Sequence, residues 1–282
     1  MAELAADREV RPAATWRTRW APYTAVLASR IRAQRSYRAS FALDLGSSLL
    51  VGFVELAEVW ILFHNVTVLG GMTFASIALV FGLADLAFSL ADLAFGHCDR
   101  LPTYLRAGTL DVFYLRPQPL LAQLIASDIS LRRLARCVVG VGALGYGLVV
   151  ADVRWSPGTV LLLMVTFVSG CAIFAALFVW AAGLQFFLVN GAEMTNAFVY
   201  GGRYAATQPG RVWPGPLKVV FGMVFPVAFA AYLPTLRVVG LPSPHPFPEW
   251  AGWCAPLAAV WAWAAAIACW RWGVRHYQGG GG

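Results

Sequence analysis

The stretch FASIALVFGLADLAFSLADLAFG, residues 74–96, decides the fold. It runs for more than 20 residues with two carboxylates, Asp85 and Asp92, and no basic side chain. About 20 consecutive apolar residues are what an α-helix needs to cross the hydrocarbon core of a bilayer. Only a helix can cross there in isolation, because lipid offers no partner to backbone N–H and C=O groups. A second such run lies just upstream at 41–63, so a helical hairpin in a membrane is the nucleus of the reading.

The rest of the chain agrees. Of 282 residues, 59% are hydrophobic and 12% charged, with a mean hydropathy of +0.65. A soluble domain carries about 25% charged residues, so an ordinary globular enzyme, a disordered chain and a nucleic-acid binder are all excluded. Further runs at 134–151, 159–189, 217–233 and 250–270 bring the expected number of spans to six. The 134–151 run is the weakest, and Gly140, Gly142, Gly145 and Gly147 give it small-residue surfaces for close helix contact. The 159–189 run exceeds one crossing and is expected to tilt or project. The predicted fold is therefore all-α. A cytoplasmic segment, 1–40, precedes a six-span domain, 41–270, and a tail, 271–282, follows it. The glycines at 279–282 are expected to lie outside the fold.

Basic residues set the orientation, since they collect on cytoplasmic loops. The net charge is +7. With six spans, every basic residue except Arg154 and Arg237 falls on the side of the two termini, which are thus expected in the cytoplasm. Arg203, Arg211 and Lys218 are assigned to that side, on the loop after the fourth span. Residues 22–40 read as a helix in the membrane interface. Tyr23, Leu27 and Ile31 recur at fourfold spacing there, and Arg30, Arg32, Arg35 and Arg38 can reach anionic headgroups. On the other side, five prolines between 234 and 248 make a crossing there unexpected, and only a short re-entrant piece at 232–240 is entertained.

Lys218 is the sole lysine, and it sits in no GxxxxGK[ST] loop, so the sequence shows no Walker A site of its own. Cys98, Cys137, Cys171, Cys254 and Cys269 form no CxxC pair. His64 and His245 have no companion at metal-ligand spacing, and no GxSxG, HExxH or paired aspartate motif is found.

Two features carry candidate function. The first is loop 97–133, too polar to span and too long for a turn. It holds the short helix LPTYLRAG and then TLDVFYLRP, with Leu101, Tyr104, Leu105, Leu110, Phe113 and Tyr114 as an apolar set rimmed by charge, the signature of a partner surface. The second is intramembrane charge. In the first span, at 100° per residue, Glu55 lies about 20° to one side of Asp44 and Glu58 about 40° to the other, and Asp85 and Asp92 share a face of the second. A charge at mid-bilayer costs about 2.5–3.5 kcal/mol on insertion scales. With no basic residue in either span, Glu55, Glu58, Asp85 and Asp92 are expected to line a path for organic cations.

The stretch LRAGTLDVFYLRPQPL at 105–120 resembles permease subunits of type 2 ABC exporters, in the branch of the viologen exporter permeases, where R-x-G-x-L-D-x-x-L-x-R-P follows the second span. Arg106, Gly108, Leu110, Asp111, Arg116 and Pro117 match it, and the ending WRWGVRHYQGGG is similar to that branch's C-terminus. The resemblance implies a bacterial inner-membrane exporter in which two permeases pair, as sisters or as copies. A separate cytoplasmic P-loop ATPase dimer would bind ATP and Mg and seat the 101–117 helices in a groove. The implied cargo is a hydrophobic or cationic drug-like compound. The rival readings are a stand-alone proton-coupled transporter using the intramembrane carboxylates and a membrane-embedded enzyme.

Overall fold

A computed structural model describes residues 23–24, 28–29, 32, 38–128, 130–188 and 192–278. The described residues contain helices and one isolated bridge, Leu69 with Met72, but no strand. Of the expected interfacial arginines, Arg32 is exposed and Arg38 opens the first long helix. Arg30, Arg35 and the glycines at 279–282 lie outside the described residues.

Helix α1, Arg38–Asn65, is followed by a tight turn in which Gly70 and Gly71 take the left-handed φ values of 58° and 84°. Helix α2, Phe74–Phe95, starts where the Thr73 hydroxyl accepts the Ser76 N–H. Three short helices, α3 (Leu101–Arg106), α4 (Asp111–Tyr114) and α5 (Leu120–Ala126), precede α6, Leu134–Val150. Helix α7, Pro157–Gln185, has Ser156 as its N-cap and proline in its first turn, where a missing N–H costs nothing. Its 29 residues measure about 43 Å at 1.5 Å per residue. After α8 (Ala192–Thr195), α9 (Gly201–Ala206), α10 (Gly215–Val219) and α11 (Tyr232–Val239), the chain ends on α12, Ala255–His276.

Helix α2 is the hub, with 83% of its apolar window buried, against 11% for α1. It packs on α6 and α7, α7 packs on α12, and α1 lies on α6. The α2–α6 contact is backbone against backbone. A Cβ on Gly82 would stand 2.3 Å from the Leu144 N, and one on Gly147 would stand 2.6 Å from the Leu79 N. Gly140 makes the same approach to Leu86, whereas Gly142 and Gly145 face open space. Half of the expected small-residue series is thus a contact face: positions seven apart return to one side of a helix, and those between do not.

Among the described residues, four helices are long and apolar enough to cross a membrane, or five if the bent pair Gly215–Val224 and Val227–Val239 counts as one span; Leu134–Val150 is shorter. The contacts correct the expected fifth span at 217–233. The pair is bent by 73° at Phe225 and Pro226, where extended backbone and a missing N–H interrupt the helix. At its start, an Arg211 Nη donates to the Pro242 carbonyl beyond its end, at 2.9 Å. The two ends of the bent pair therefore lie close together, and the run at 217–233 is not one straight helix. The bend is held by Phe225 against Trp180 and Phe198, with ring centroids 4.8 and 4.7 Å apart. Arg211 also lies against Gly71 of the α1–α2 turn, which corrects its assignment to the side of the termini. Residues 192–206, read from sequence as loop, form α8, a wide π-helical turn and α9, running along α7 and α2.

Candidate functional site

Loop 97–133 folds into a compact cap on the end of α2. Leu101 and Leu110 are fully buried, and Tyr104, Leu105 and Phe113 are half-buried against the chain's own core. Gly108, at φ 65°, lets the chain reverse after α3, as a left-handed glycine does after a helix. The Gln123 amide of α5 donates to the carbonyls of Phe113 and Gln118 at 3.0 and 2.7 Å, fixing α4 in place. The Arg106 Nε donates to the Pro102 carbonyl. The expected apolar set therefore divides. Of that set Tyr114 faces outward, and with Val112 and Leu115, which the sequence reading does not single out, it forms a ridge, Leu115 being 84% exposed, flanked by Arg106, Asp111, Arg116 and Pro117.

The end of the chain meets this ridge. The Tyr277 hydroxyl donates to Asp111 at 3.0 Å, and its ring stacks on Tyr114 with an interplanar angle of 6°. Burial and the Asp111 carboxylate push the Tyr277 phenol up to about 12, so the donor keeps its proton throughout the physiological range. The loop stretch and the C-terminal stretch noted in the sequence are thus one surface in space.

The intramembrane carboxylates are not unpaired, which corrects the expectation of a negatively lined path through all of them. Arg203, on α9 and nearly buried, donates from Nη1 to Glu55 at 2.9 Å and from Nη2 to the second Glu55 oxygen. Its Nε and Nη2 both reach one Asp85 oxygen, at 3.1 and 2.6 Å. Arg136 of α6 closes on Glu55 from the other side at 3.0 Å. One cluster thus joins α1, α2, α6 and α9 with two positive and two negative side chains, and the Arg203 guanidinium lies 5.2 Å from the centre of the Phe88 ring. Arg133 pairs with Asp92 at 3.2 Å, over Gly96, where a Cβ would collide with its guanidinium. The Tyr200 hydroxyl donates to Asp99 at 2.8 Å. Charges in a medium without water are paired or excluded, and here two of the partners, Arg203 and Arg133, come from segments read as loops, while Arg136 comes from the start of α6. Glu58 stands apart, exposed on α1 and without an ion pair among the described residues.

Arg203 had one available signal: it is the sole charge in the apolar run NAFVYGGRYAA at 196–206. Nothing in the sequence links Tyr277 to Asp111. Among the described residues, no group of three or more His, Cys, Asp or Glu is placed to hold a metal ion.

Comparison with curated proteins and with solved structures finds no match. The family model described as ABC-2 family transporter protein matches residues 49–281, which takes in the charge cluster, the 97–133 cap and Tyr277. With its all-helical, multi-pass architecture, the chain belongs to the ABC-2 family of transporter proteins.

Proposed function

We propose that this chain is the permease subunit of an ATP-driven exporter, working with a second permease and a separate cytoplasmic P-loop ATPase dimer that supplies ATP and Mg chemistry. The observation that carries the reading is the outward ridge of Val112, Tyr114 and Leu115, built on a cap that Gln123 and Tyr277 hold rigid. A rigid element can pass the movement of a partner to α2, of which the cap is a continuation. Six crossings serve such a permease: α1, α2, α6, α7, segment 192–206 and α12, with the 215–239 hairpin as a re-entrant loop. Both termini then fall on the cytoplasmic side of the membrane, as do Arg100, Arg106 and Arg116 of the cap, in keeping with the positive-inside rule.

For cargo we propose a hydrophobic or cationic drug-like compound, in line with the viologen-exporter resemblance. Of the four carboxylates, Glu58 supports the cationic part, because Glu55, Asp85 and Asp92 are neutralised by arginine. The same pairing weakens the stand-alone proton-coupled alternative. The test is purification from native membrane in mild detergent. A stoichiometric P-loop ATPase is expected, and Leu115→Arg should release it while the permease stays monodisperse. A lone protein, or an ATPase still bound by Leu115→Arg, refutes the reading.

A further inference from the structure

At the end of the bundle remote from the cap, a cavity of about 560 Å³ opens where the α6–α7 turn, the last turn of α11 and the segment Glu249–Trp253 meet. It is lined by Arg154, Arg237, Glu249, Trp155, Trp253 and the first turn of α7. The cavity is built around its arginines. Gly240 ends α11 at φ 72°, and a Cβ there would stand 2.5 Å from the Arg154 Cζ, so the missing side chain makes room for the guanidinium. The Arg237 side chain leaves α11 over Gly252, where a Cβ would stand 3.1 Å from the Arg237 Cβ. Neither guanidinium has a side-chain hydrogen bond or ion pair among the described residues, and Glu249 comes within 4.0 Å of neither. The lining therefore keeps one net positive charge, to which the N-terminal end of a 29-residue helix adds its dipole.

The surroundings say what this charge meets. Trp155, Trp250 and Trp253 are exposed, as indoles are where hydrocarbon gives way to headgroups. Within the next turn or two, Val160 and Leu161 on α7 and Leu257 and Val260 on α12 present an apolar surface outward. Acyl chains covering that surface bring their headgroups to the level of the cavity. We infer that the cavity binds the phosphodiester of an anionic phospholipid headgroup. Arg154 and Arg237 take the phosphate, charge-assisted donors being the strong ones, and Glu249 is the one carboxylate of the lining, opposing the anion. Free phosphate shares the anion chemistry but does not use the apolar surface.

The purified chain, with any subunit that accompanies it, would be titrated in micelles with dihexanoyl-phosphatidylglycerol, and separately with dihexanoyl-phosphatidylcholine, glycerol 3-phosphate and inorganic phosphate. Saturable binding of phosphatidylglycerol is expected, at least tenfold tighter than that of the other three. Arg154→Gln with Arg237→Gln should weaken it tenfold or more. Glu249→Gln should tighten it severalfold, because it removes the sole carboxylate; this variant decides the matter if the double variant does not fold. Equal binding of free phosphate or glycerol phosphate overturns the lipid as occupant, and equal binding of phosphatidylcholine overturns the anion. Undiminished binding by the double variant, or unchanged binding by Glu249→Gln, overturns the site.

Discussion

Replacing Arg203 by methionine should destabilise the protein by about 3–5 kcal/mol, the usual cost of removing one partner from a buried ion pair. The structure puts the effect at this end of the scale. Asp85 has a side chain with no exposure at all and loses its one ion-pair partner among the described residues, whereas Glu55, 22% exposed, keeps Arg136. At about 2–4 °C per kcal/mol for a chain of this size, the midpoint of thermal unfolding falls on the order of 10 °C. Arg136→Met should cost clearly less, since Glu55 then retains Arg203. The decisive variant is the double change Arg203→Met with Asp85→Leu. It leaves one positive and one negative side chain, Arg136 and Glu55, and an apolar contact in place of the buried pair, an exchange that is often neutral. Thermal unfolding in a single detergent should show the double variant within about 3 °C of the parent. Strict additivity of the two changes, or a loss under about 1 kcal/mol for Arg203→Met alone, would show that the cluster is not the interior joint described here.

Three further outcomes follow from other parts of the molecule. Gly82→Leu should cost about 3 kcal/mol or more by forcing α2 from α6, while Gly145→Leu, with open space around its Cβ position, should be close to neutral; size-exclusion profiles and melting curves separate them. Single cysteines at His64, Lys218 and His245 should react with an impermeant maleimide from one side of the membrane, and one at Val112 from the other. Labelling at Lys218 from the Val112 side would turn the re-entrant hairpin back into a span. Tyr277→Phe should shift the melting point little, its bond to Asp111 being largely exposed. It should nevertheless loosen an ATPase subunit seated on the ridge, as co-purification would report. The raised phenol pKa makes the contact complete below the ordinary tyrosine value of about 10, and it is lost only as pH rises through about 12. The phenol should therefore contribute no pH dependence between 6 and 9.

Residues 74–96 and the other long apolar runs determine by themselves that the chain is helical and lies in a membrane, because lipid leaves a backbone no other way to satisfy its hydrogen bonds. The arginine pattern and the 105–120 stretch likewise mark loop 97–133 as the surface of interest. Periodicity could not show that the 217–233 run bends. A straight helix and one that bends at Pro226, with its ends close together, have the same composition, and only the bend and the Arg211–Pro242 contact separate them. Nor could it show that Glu55 and Asp85 are neutralised, since Arg203 is 148 and 118 residues away along the chain. Burial along a helix is a local property that sequence records. The pairing of charges depends on which segments meet across the bundle, and that only the packing of α1, α2, α6 and α9 decides.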